Sequence, residues 1–170
     1  DNLEAQVHAW RQDRFGWAAS GMRMWKRRPL QRMFGSEKKV LFTEDVRKAQ
    51  ASSRNWMVWA GKATTEHAGA TRVEDGFLRS RGLGAELVPP LSLVTDRQGI
   101  YYDPSQPSDL EDWISRRAKL TEAQERRAEN LLRSLIQSSL SKYNLGGSAP
   151  ALPAGHRILV PGQVEDDASI

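Results

Sequence analysis

Short apolar runs separated by stretches of helical spacing predict that much of this chain is an α/β domain. The runs at 40–42 and 56–60 are typical of buried strands, and residues 44–52 between them are predicted to form a short helix entered through Thr43. Strands that are apolar on both faces, with helices between them, belong to parallel sheets covered on both sides. The pattern therefore predicts a Rossmann-like lobe that begins near Lys39.

The amino-terminal part of the chain has a different pattern. Four apolar residues recur at helical spacing over 2–20: Leu3, Val7, Trp10 and Trp17. This spacing predicts an amphipathic helix that ends near Gly16 or Gly21. A basic, aromatic stretch follows at 22–34, in which Pro29 should break or kink any helix that runs through it. We therefore expect residues 1–35 to be a helical, basic lead-in or a linker between two modules.

A third strand is predicted at 72–73, followed by a glycine-punctuated loop. Residues 61–71, which link this strand to the preceding one, are too few for the usual parallel crossover that contains a helix. This segment is either an irregular link or one from which residues between Ala63 and Ala70 are missing.

A strand at 91–94 is predicted to turn into a second short strand at 100–102. Two capping boxes follow, at 108–111 and 121–124, in which a hydroxyl and a carboxylate or amide satisfy reciprocal free backbone amides. The first opens a helix toward Arg117. The second opens a helix with one apolar face, formed by Ala128, Leu131, Leu132, Leu135 and Ile136.

The end of the chain predicts the start of a second unit. Residues 146–155 have the glycine, serine and proline content of a linker, and the apolar run at 158–160 is typical of a buried strand. The predicted organisation is therefore a lead-in at 1–35, a first Rossmann-like lobe at 36–145, an interlobe linker at 146–155 and the start of a truncated second lobe at 156–170.

Composition excludes several kinds of chemistry. The 170 residues include no cysteine, which rules out disulfides, thiolate–metal sites and cysteine nucleophiles. The three histidines are scattered, so no metal site is predicted, and the glycines have neither dinucleotide nor phosphate-loop spacing, so neither NAD nor ATP is expected. The net charge of +4 favours an anionic partner, which could be nucleic acid, anionic lipid or a negatively charged substrate.

Two acidic clusters that follow predicted strands are the candidate sites. Glu74 and Asp75 lie at the carboxyl end of a strand, where ligands bind in open α/β sheets, and side-chain alternation should direct only one of them into the cleft. Gln163, Glu165 and Asp166 occupy the corresponding place in the second lobe. The ordinary alternatives are a solvated strand end for the first cluster and an acidic helix amino terminus for the second.

The most specific motif is Arg-Val-Glu-Asp-Gly-Phe-Leu-Arg-Ser at 72–80, which continues in runs at 82–84, 87–93 and 99–103. Together with Ile-Leu-Val-Pro-Gly-Gln-Val-Glu-Asp-Asp-Ala-Ser at 158–169, it strongly resembles the capsule polysaccharide β-Kdo transferases of the KpsC/LipB type. Kdo is an acidic eight-carbon sugar. The family is similar to two-lobed, GT-B-like glycosyltransferases.

The resemblance implies a retaining transfer of Kdo from CMP-Kdo, the donor substrate, without a cofactor or metal. The product would be the β-Kdo linker of capsular polysaccharide, built on a phosphatidylglycerol-type or Kdo-primed lipid for export. Asp75 would be the nucleophile and Glu74 an orienting or acid/base neighbour, or the two roles are exchanged. The implied donor-binding residues are Arg72, Arg79, Ser80, Gln163, Glu165 and Asp166.

The resemblance also implies a cytoplasmic enzyme peripheral to the inner membrane. Its partners would be CMP-Kdo, the lipid acceptor, the membrane surface and other capsule assembly proteins, without nucleic acid. Because the cytidine-phosphate site of the family lies mainly beyond Ile170, this piece alone is expected to be inactive.

Two other functions fit the residues. The basic stretch at 25–32, which contains a tryptophan, would suit a noncatalytic domain that binds a membrane surface or nucleic acid, although such a stretch more often wraps a lobe. A nucleotide-sugar enzyme of another class is the third possibility, and it would take UDP-sugars rather than CMP-Kdo. The sequence leaves the Kdo linkage, further modules and the oligomeric state open.

Overall fold

The computed structural model describes residues 15–116, 119–148, 151–160 and 162. Five strands form one sheet: β1 (Trp17–Ser20), β2 (Leu41–Phe42), β3 (Asn55–Trp59), β4 (Thr71–Asp75) and β5 (Leu93–Asp96). Their spatial order is β2-β1-β3-β4-β5, with β5 antiparallel to β4 and the other neighbours parallel. The predicted mixed α/β fold with a mostly parallel sheet is confirmed.

The described residues also form four α-helices: α1 (Met24–Phe34), α2 (Val46–Ala51), α3 (Asp109–Arg116) and α4 (Glu122–Gln137). Both predicted capping boxes are confirmed. Ser108 exchanges hydrogen bonds with Glu111 ahead of α3, and Thr121 does so with Gln124 at the start of α4. The short helix α2 begins later than predicted, because Asp45 rather than Thr43 is its N-cap.

Of the two ends predicted for the amino-terminal helix, Gly21 is wrong, because Trp17–Ser20 is the strand β1. Ala18 and Ala19 favour helices in isolation, but here they are fully buried between the parallel strands β2 and β3. The first lobe therefore starts before residue 36, whereas the other predicted boundaries stay predictions. Residues 1–14 lie outside the described part of the chain.

The helix α1 runs through Pro29 without ending there, so the predicted break is wrong. Pro29 and Leu30 are buried, and this packing outweighs the lost backbone hydrogen bond. The helix ends at Gly35, whose amide donates to the carbonyl of Gln31 at 3.0 Å. The side chain of Gln31 in turn accepts from the amide of Val40 at 2.9 Å, which fixes the approach to β2.

The link between β3 and β4 is irregular, which is the first of the two alternatives given for residues 61–71. It contains 3₁₀ turns at Ala60–Lys62 and Thr65–His67. The strands it joins are nevertheless parallel, with Val58 opposite Arg72.

The second strand predicted at 100–102 is wrong, because those residues form turns after β5. Asp96 at the end of β5 is buried, and its Oδ1 accepts from the amides of Gln98 and Gly99 at 2.9 and 3.0 Å. Its Oδ2 accepts from the amide of Asp109 at 3.0 Å. These bonds turn the chain from β5 toward α3 instead of into a hairpin.

The helix predicted at the second capping box is correct as α4, but its apolar face is not covered by the described residues. Leu131 and Leu132 are each 59% exposed, and only Leu135 on that face is partly buried. The predicted strand at 158–160 is wrong for this structure, since these residues form no strand and are at least 80% exposed. No described segment lies beside them to complete a sheet.

The apolar core lies between the sheet and α1. It is formed by Ala19, Met22, Leu30, Val40, Met57, Trp59 and Val73. Because side chains alternate along a strand, Asp75 projects from β4 on the same side as buried Val73. The core therefore supports the carboxyl end of β4 from below.

Candidate active site at the carboxyl edge of the sheet

The carboxyl ends of β1, β3 and β4 meet at one edge of the sheet and surround a cavity of about 380 Å³, here called the inner cavity. Gly21, Trp59 and Asp75 line it from the three strand ends, and Trp25 and Lys26 line it from α1. This is the edge at which open parallel sheets bind ligands. The predicted location of the site therefore contains a cavity with an acidic side chain in it.

Asp75 is held by a charged hydrogen bond within its own motif. The Nε of Arg79 donates to Oδ2 of Asp75 at 2.6 Å, and the side chain of Arg79 is only 1% exposed. Nη1 of Arg79 donates to Oγ of Ser80 at 2.8 Å, and Ser80 donates to the carbonyl of Gly82 at 2.7 Å. The structure thus brings together Asp75, Arg79 and Ser80 of the predicted site.

The segment after α4 anchors the loop that carries Arg79. The amides of Arg79 and Ser80 donate to the carbonyl of Lys142 at 2.9 and 3.2 Å. The side chain of Asn144 donates to the carbonyl of Ser80 at 3.0 Å. The guanidinium beside Asp75 is therefore positioned by backbone contacts on a distant part of the sequence.

Lys26 is a buried cation in the same cavity. Its residue is only 8% exposed, and its Nζ lies 3.0 Å from the ring centroid of Trp59 and 5.1 Å from that of Trp25. Burial lowers the pKa of Lys26 to about 8, although the negative charge of Asp75 opposes this shift. Aromatic faces and a neighbouring carboxylate thus keep a lysine in a partly desolvated place.

Glu74 and Arg72 lie on the opposite face of β4 from Asp75. Oε1 of Glu74 accepts from the amide of Asp75 at 2.9 Å, and burial raises the pKa of Glu74. The hydroxyl of Tyr102 lies 3.5 Å from its Oε2. Arg72 donates to the carbonyl of Ala70 at 2.7 Å and lines a different cavity. Among the predicted donor-binding residues that the structure describes, Arg72 is therefore the one that lies apart from Asp75.

Two glycines of the motif have different neighbours. A β-carbon on Gly76 would clash with Oγ of Ser92, so this glycine lets the chain just before β5 approach rather than a ligand. A β-carbon on Gly84 would lie 2.9 Å from Nη2 of Arg79. Gly84 therefore makes room for the buried guanidinium.

A second cavity of about 410 Å³, the outer cavity, lies on the other side of Trp25. Arg28 and Arg32 line it, one turn apart on α1, with the loop 89–91 opposite them. Both arginines are exposed, and Leu91 is 75% exposed. The basic stretch singled out in the sequence is thus a surface of mixed cationic and apolar character.

Several predicted features lie outside what the structure describes or are not found in it. Gln163, Glu165 and Asp166 are outside the described residues. Within the described ranges, no group of three or more acidic or histidine side chains is placed to hold a metal ion. In the same ranges, no helix has both the length and the apolar character to cross a membrane.

Sequence reasoning missed the residues that the site takes from β1, β3 and α1. These are Gly21, Trp25 and Lys26 after β1, and Trp59 and Lys62 at the end of β3. Recognition of β1 as a parallel strand would have found the first group, since residues after it must lie at the same edge as Asp75. The helical interpretation of 2–20 concealed this.

A family model described as capsule polysaccharide biosynthesis protein matches residues 52–146, more than half of the chain. The chain belongs to this family. The matched range includes β4, the loop with Arg79, and α4. The family assignment therefore covers the residues that hold Asp75.

The chain is similar in sequence to proteins from Neisseria meningitidis and Rhizobium meliloti. The capsule polysaccharide modification protein LipA of Neisseria meningitidis serogroup A is 39% identical over 88% of the chain, which spans 23% of LipA. The lipopolysaccharide-processing protein LpsZ of Rhizobium meliloti is 53% identical over 58% of the chain, corresponding to 24% of LpsZ. The chain thus spans about a quarter of the length of these relatives.

Two solved structures from Thermosulfurimonas dismutans are similar to this family member. The KpsC β-Kdo 2,4-transferase superposes with a TM-score of 0.62 at 30% identity, over 80% of this chain and 44% of that one. The KpsC β-Kdo 2,7-transferase gives a TM-score of 0.63 at 28% identity, over 91% of this chain and 50% of that one. The sheet described above corresponds to part of these chains.

Proposed function

We propose that the protein of which this chain is part transfers Kdo from CMP-Kdo, with retention, to a lipid acceptor during capsular polysaccharide assembly. The observation that carries the proposal is the position of Asp75, which lines the inner cavity at the carboxyl edge of the sheet and accepts a hydrogen bond from Arg79. The similarity to two Kdo transferases supports the sugar, and membership of the capsule family supports the pathway.

The proposed chemistry is a double displacement. An oxygen of Asp75 forms a bond to the anomeric carbon of Kdo while the bond from that carbon to the phosphate oxygen breaks, and CMP leaves with the electron pair. An acceptor hydroxyl then attacks the same carbon, its proton passes to a base, and the bond to Asp75 breaks. Two inversions give net retention.

The geometry favours Asp75 over Glu74 as nucleophile. Asp75 lines the inner cavity, whereas Glu74 projects to the opposite face and bonds to the backbone amide of Asp75. Oδ2 of Asp75 accepts a hydrogen bond from Nε of Arg79, which fixes the direction of the carboxylate. Glu74 is then a positioning residue, because its hydrogen bond restrains the peptide that carries the nucleophile.

The outer cavity is the proposed place where the protein meets the membrane and its lipid acceptor. Arg28 and Arg32 with exposed Leu91 form a surface that suits anionic lipid headgroups, and α1 contains no acidic residue. We propose that the acceptor is a phosphatidylglycerol-type or Kdo-primed lipid. We also propose that the enzyme attaches peripherally to the cytoplasmic side of the inner membrane. Other capsule assembly proteins are expected partners, whereas nucleic acid is not.

The test uses the full-length enzyme, since the chain spans half or less of each similar structure. CMP-Kdo and a Kdo-primed lipid are incubated with wild type, Asp75→Ala or Glu74→Gln, and products are identified by mass spectrometry. Product from wild type, none from Asp75→Ala and reduced product from Glu74→Gln would support the proposal. The 170-residue chain alone is expected to give no product.

Other outcomes point elsewhere. Transfer from UDP-sugars but not from CMP-Kdo would indicate a different nucleotide-sugar enzyme. Absence of transfer from any donor, with salt-sensitive binding to nucleic acid that depends on Arg28, would favour the noncatalytic alternative. Unchanged product from Asp75→Ala would remove Asp75 as nucleophile.

A further inference from the structure

Three buried side-chain polar atoms in the described part of the chain lack a hydrogen-bond partner, and all three belong to residues of the inner cavity. They are Nε1 of Trp25, Oδ1 of Asp75 and Nη2 of Arg79. Buried polar atoms are nearly always paired, because an unpaired one has lost its hydrogen bonds to water without replacement. Three of them at one cavity indicate that a ligand is expected to pair with them.

The charges around the cavity show which kind of ligand fits. Four basic residues line it, and Asp75 is the only carboxylate among the lining residues. The basic residues are Arg23, Lys26, Lys62 and Arg79. Both Nη2 of Arg79 and Nε1 of Trp25 are donors, so the unpaired groups other than Asp75 call for an acceptor. An anionic oxygen ligand satisfies both the charge and the donors.

We propose that Lys26, Nη2 of Arg79 and the indole N–H of Trp25 bind the carboxylate that an acidic sugar donor carries on the carbon attacked by Asp75. This inference rests on the proposed function. A carboxylate on the attacked carbon brings a second negative charge close to the nucleophile. Two like charges this close repel each other more strongly in a protein interior than in water. Cations beside Asp75 offset this repulsion.

Stereochemistry distinguishes the carboxylate from the donor phosphate. In a displacement the leaving group departs on the side opposite to the attacking atom, so the phosphate must lie across the carbon from Asp75. The carboxylate is a side substituent of the same carbon and lies nearer to the nucleophile. The unpaired donors belong to residues that surround Asp75 itself, and Arg79 is bonded to it. The position therefore fits the carboxylate.

The same arrangement gives a reason for selectivity. A neutral aldose has no carboxylate on its anomeric carbon, so its binding would leave Nη2 of Arg79 and the Trp25 N–H buried and unpaired and would give the Lys26 charge no new anionic partner. A site whose buried polar groups stay unpaired rejects a ligand strongly. Lys26 is thus proposed as a residue that selects 2-keto acid sugars.

The experiment measures binding to the full-length enzyme by calorimetry, with free Kdo, its neutral C1 amide and CMP as separate ligands. Wild type should prefer Kdo to the amide by roughly ten- to a hundredfold, the range expected for charge-assisted hydrogen bonds. Lys26→Met should reduce this preference to a few-fold while CMP affinity is unchanged. Lys48→Met, an exposed lysine of α2, is the matched control and should retain the full preference.

Two further variants keep the test decisive. Trp25→Phe removes the indole N–H and keeps an aromatic ring, and it should lose part of the preference. Lys26→Gln replaces Lys26→Met if the latter unfolds below 37 °C. An equal affinity of wild type for Kdo and its amide, undetectable Kdo binding, or an undiminished preference in the Lys26 variants would overturn the inference.

The inference and the proposed function fail in different ways. Transfer of Kdo by wild type, combined with an undiminished carboxylate preference in Lys26→Met, would refute the carboxylate site and leave the transferase proposal standing. A preference for Kdo that depends on Lys26, without transfer from CMP-Kdo, would support the carboxylate site and refute the transferase proposal.

Discussion

Arg79 reaches back four residues to donate through Nε to Asp75 at 2.6 Å, from a position where it is itself fully buried. Breaking a buried ion pair by removal of one partner costs about 3–5 kcal/mol, because a charge is left uncompensated. Nε orients Asp75, Nη1 holds Ser80, and Nη2 remains for a ligand. One guanidinium group thus orients Asp75, holds the loop at Ser80 and keeps one unpaired nitrogen among the residues of the inner cavity.

Arg79→Lys is therefore expected to abolish transfer and to lower the thermal midpoint of the full-length enzyme. A lysine has a single ammonium and cannot reproduce three directed contacts. Arg81→Lys, at an exposed position two residues further on, is the control and should leave both quantities unchanged. Retained transfer in Arg79→Lys would show that the fork geometry is unnecessary.

Gly84→Ala should destabilise the site through Arg79. The new methyl group would lie 2.9 Å from Nη2 and 3.2 Å from Cζ, so the guanidinium must shift. The expected loss is about 1–3 kcal/mol of unfolding free energy, typical of overpacking. Gly61→Ala is the comparison, since nothing lies within 4 Å of its β-carbon. Denaturant titration distinguishes them, and equal midpoints for the two variants would contradict the prediction.

Ser20→Ala should weaken the sheet below the cavity. The hydroxyl of Ser20 accepts from the indole N–H of Trp56 at 3.1 Å and donates to the carbonyl of Thr43 at 2.9 Å. Because Ser20 is fully buried, its removal leaves both partners unpaired, at a cost of about 1–3 kcal/mol. Urea denaturation of the chain measures this, and exposed Ser36→Ala should have no effect. An unchanged midpoint for Ser20→Ala would show that water replaces the hydroxyl.

The pH dependence of kcat/KM for the donor CMP-Kdo should reflect the charge of Lys26. Burial lowers its pKa to about 8, so its positive charge is lost as the pH rises through that value, and kcat/KM for CMP-Kdo should fall above about pH 8. In Lys26→Arg the charge persists, and this fall should disappear. A fall that is identical in both enzymes would assign it to another group. The charged groups around Lys26 are Asp75, Glu74, Arg79, Arg23 and Lys62.

Membrane binding should depend on the outer face of α1. The double substitution Arg28→Gln and Arg32→Gln is expected to weaken binding to phosphatidylglycerol vesicles roughly thirtyfold, at about 1 kcal/mol per arginine. High salt should weaken binding of the wild type in the same way. Arg47→Gln with Lys48→Gln on α2 is the matched control. Vesicle sedimentation measures all three, and equal losses in both double variants would indicate a nonspecific charge effect.

The sequence predicted most of what depends on local pattern. β2 and β3 are apolar runs, and α3 and α4 begin at recognisable capping residues. The sequence therefore predicts the starts of these four elements to within a few residues. The alternation of side chains along a strand predicts that only one of Glu74 and Asp75 faces the cleft. These features depend on neighbours along the chain.

What the sequence did not predict depends on tertiary contacts. β1 contains two alanines whose helical preference is overridden by burial between two strands. The place of Lys26 was not predicted because it follows from β1. The apolar run at 158–160 predicted a strand, but strand formation requires a partner that the described residues do not supply. Local propensity is a weak guide where packing decides.

The short, irregular link between β3 and β4 has a consequence for the order in which the protein folds. Val58 pairs with Arg72, and Asp75 with Leu93, across modest loops, whereas Ala18 pairs with Trp56 only after a longer excursion. Nearby segments find each other faster than distant ones. The half of the sheet with Asp75 should therefore form first, and α1 should bring Lys26 to it afterwards.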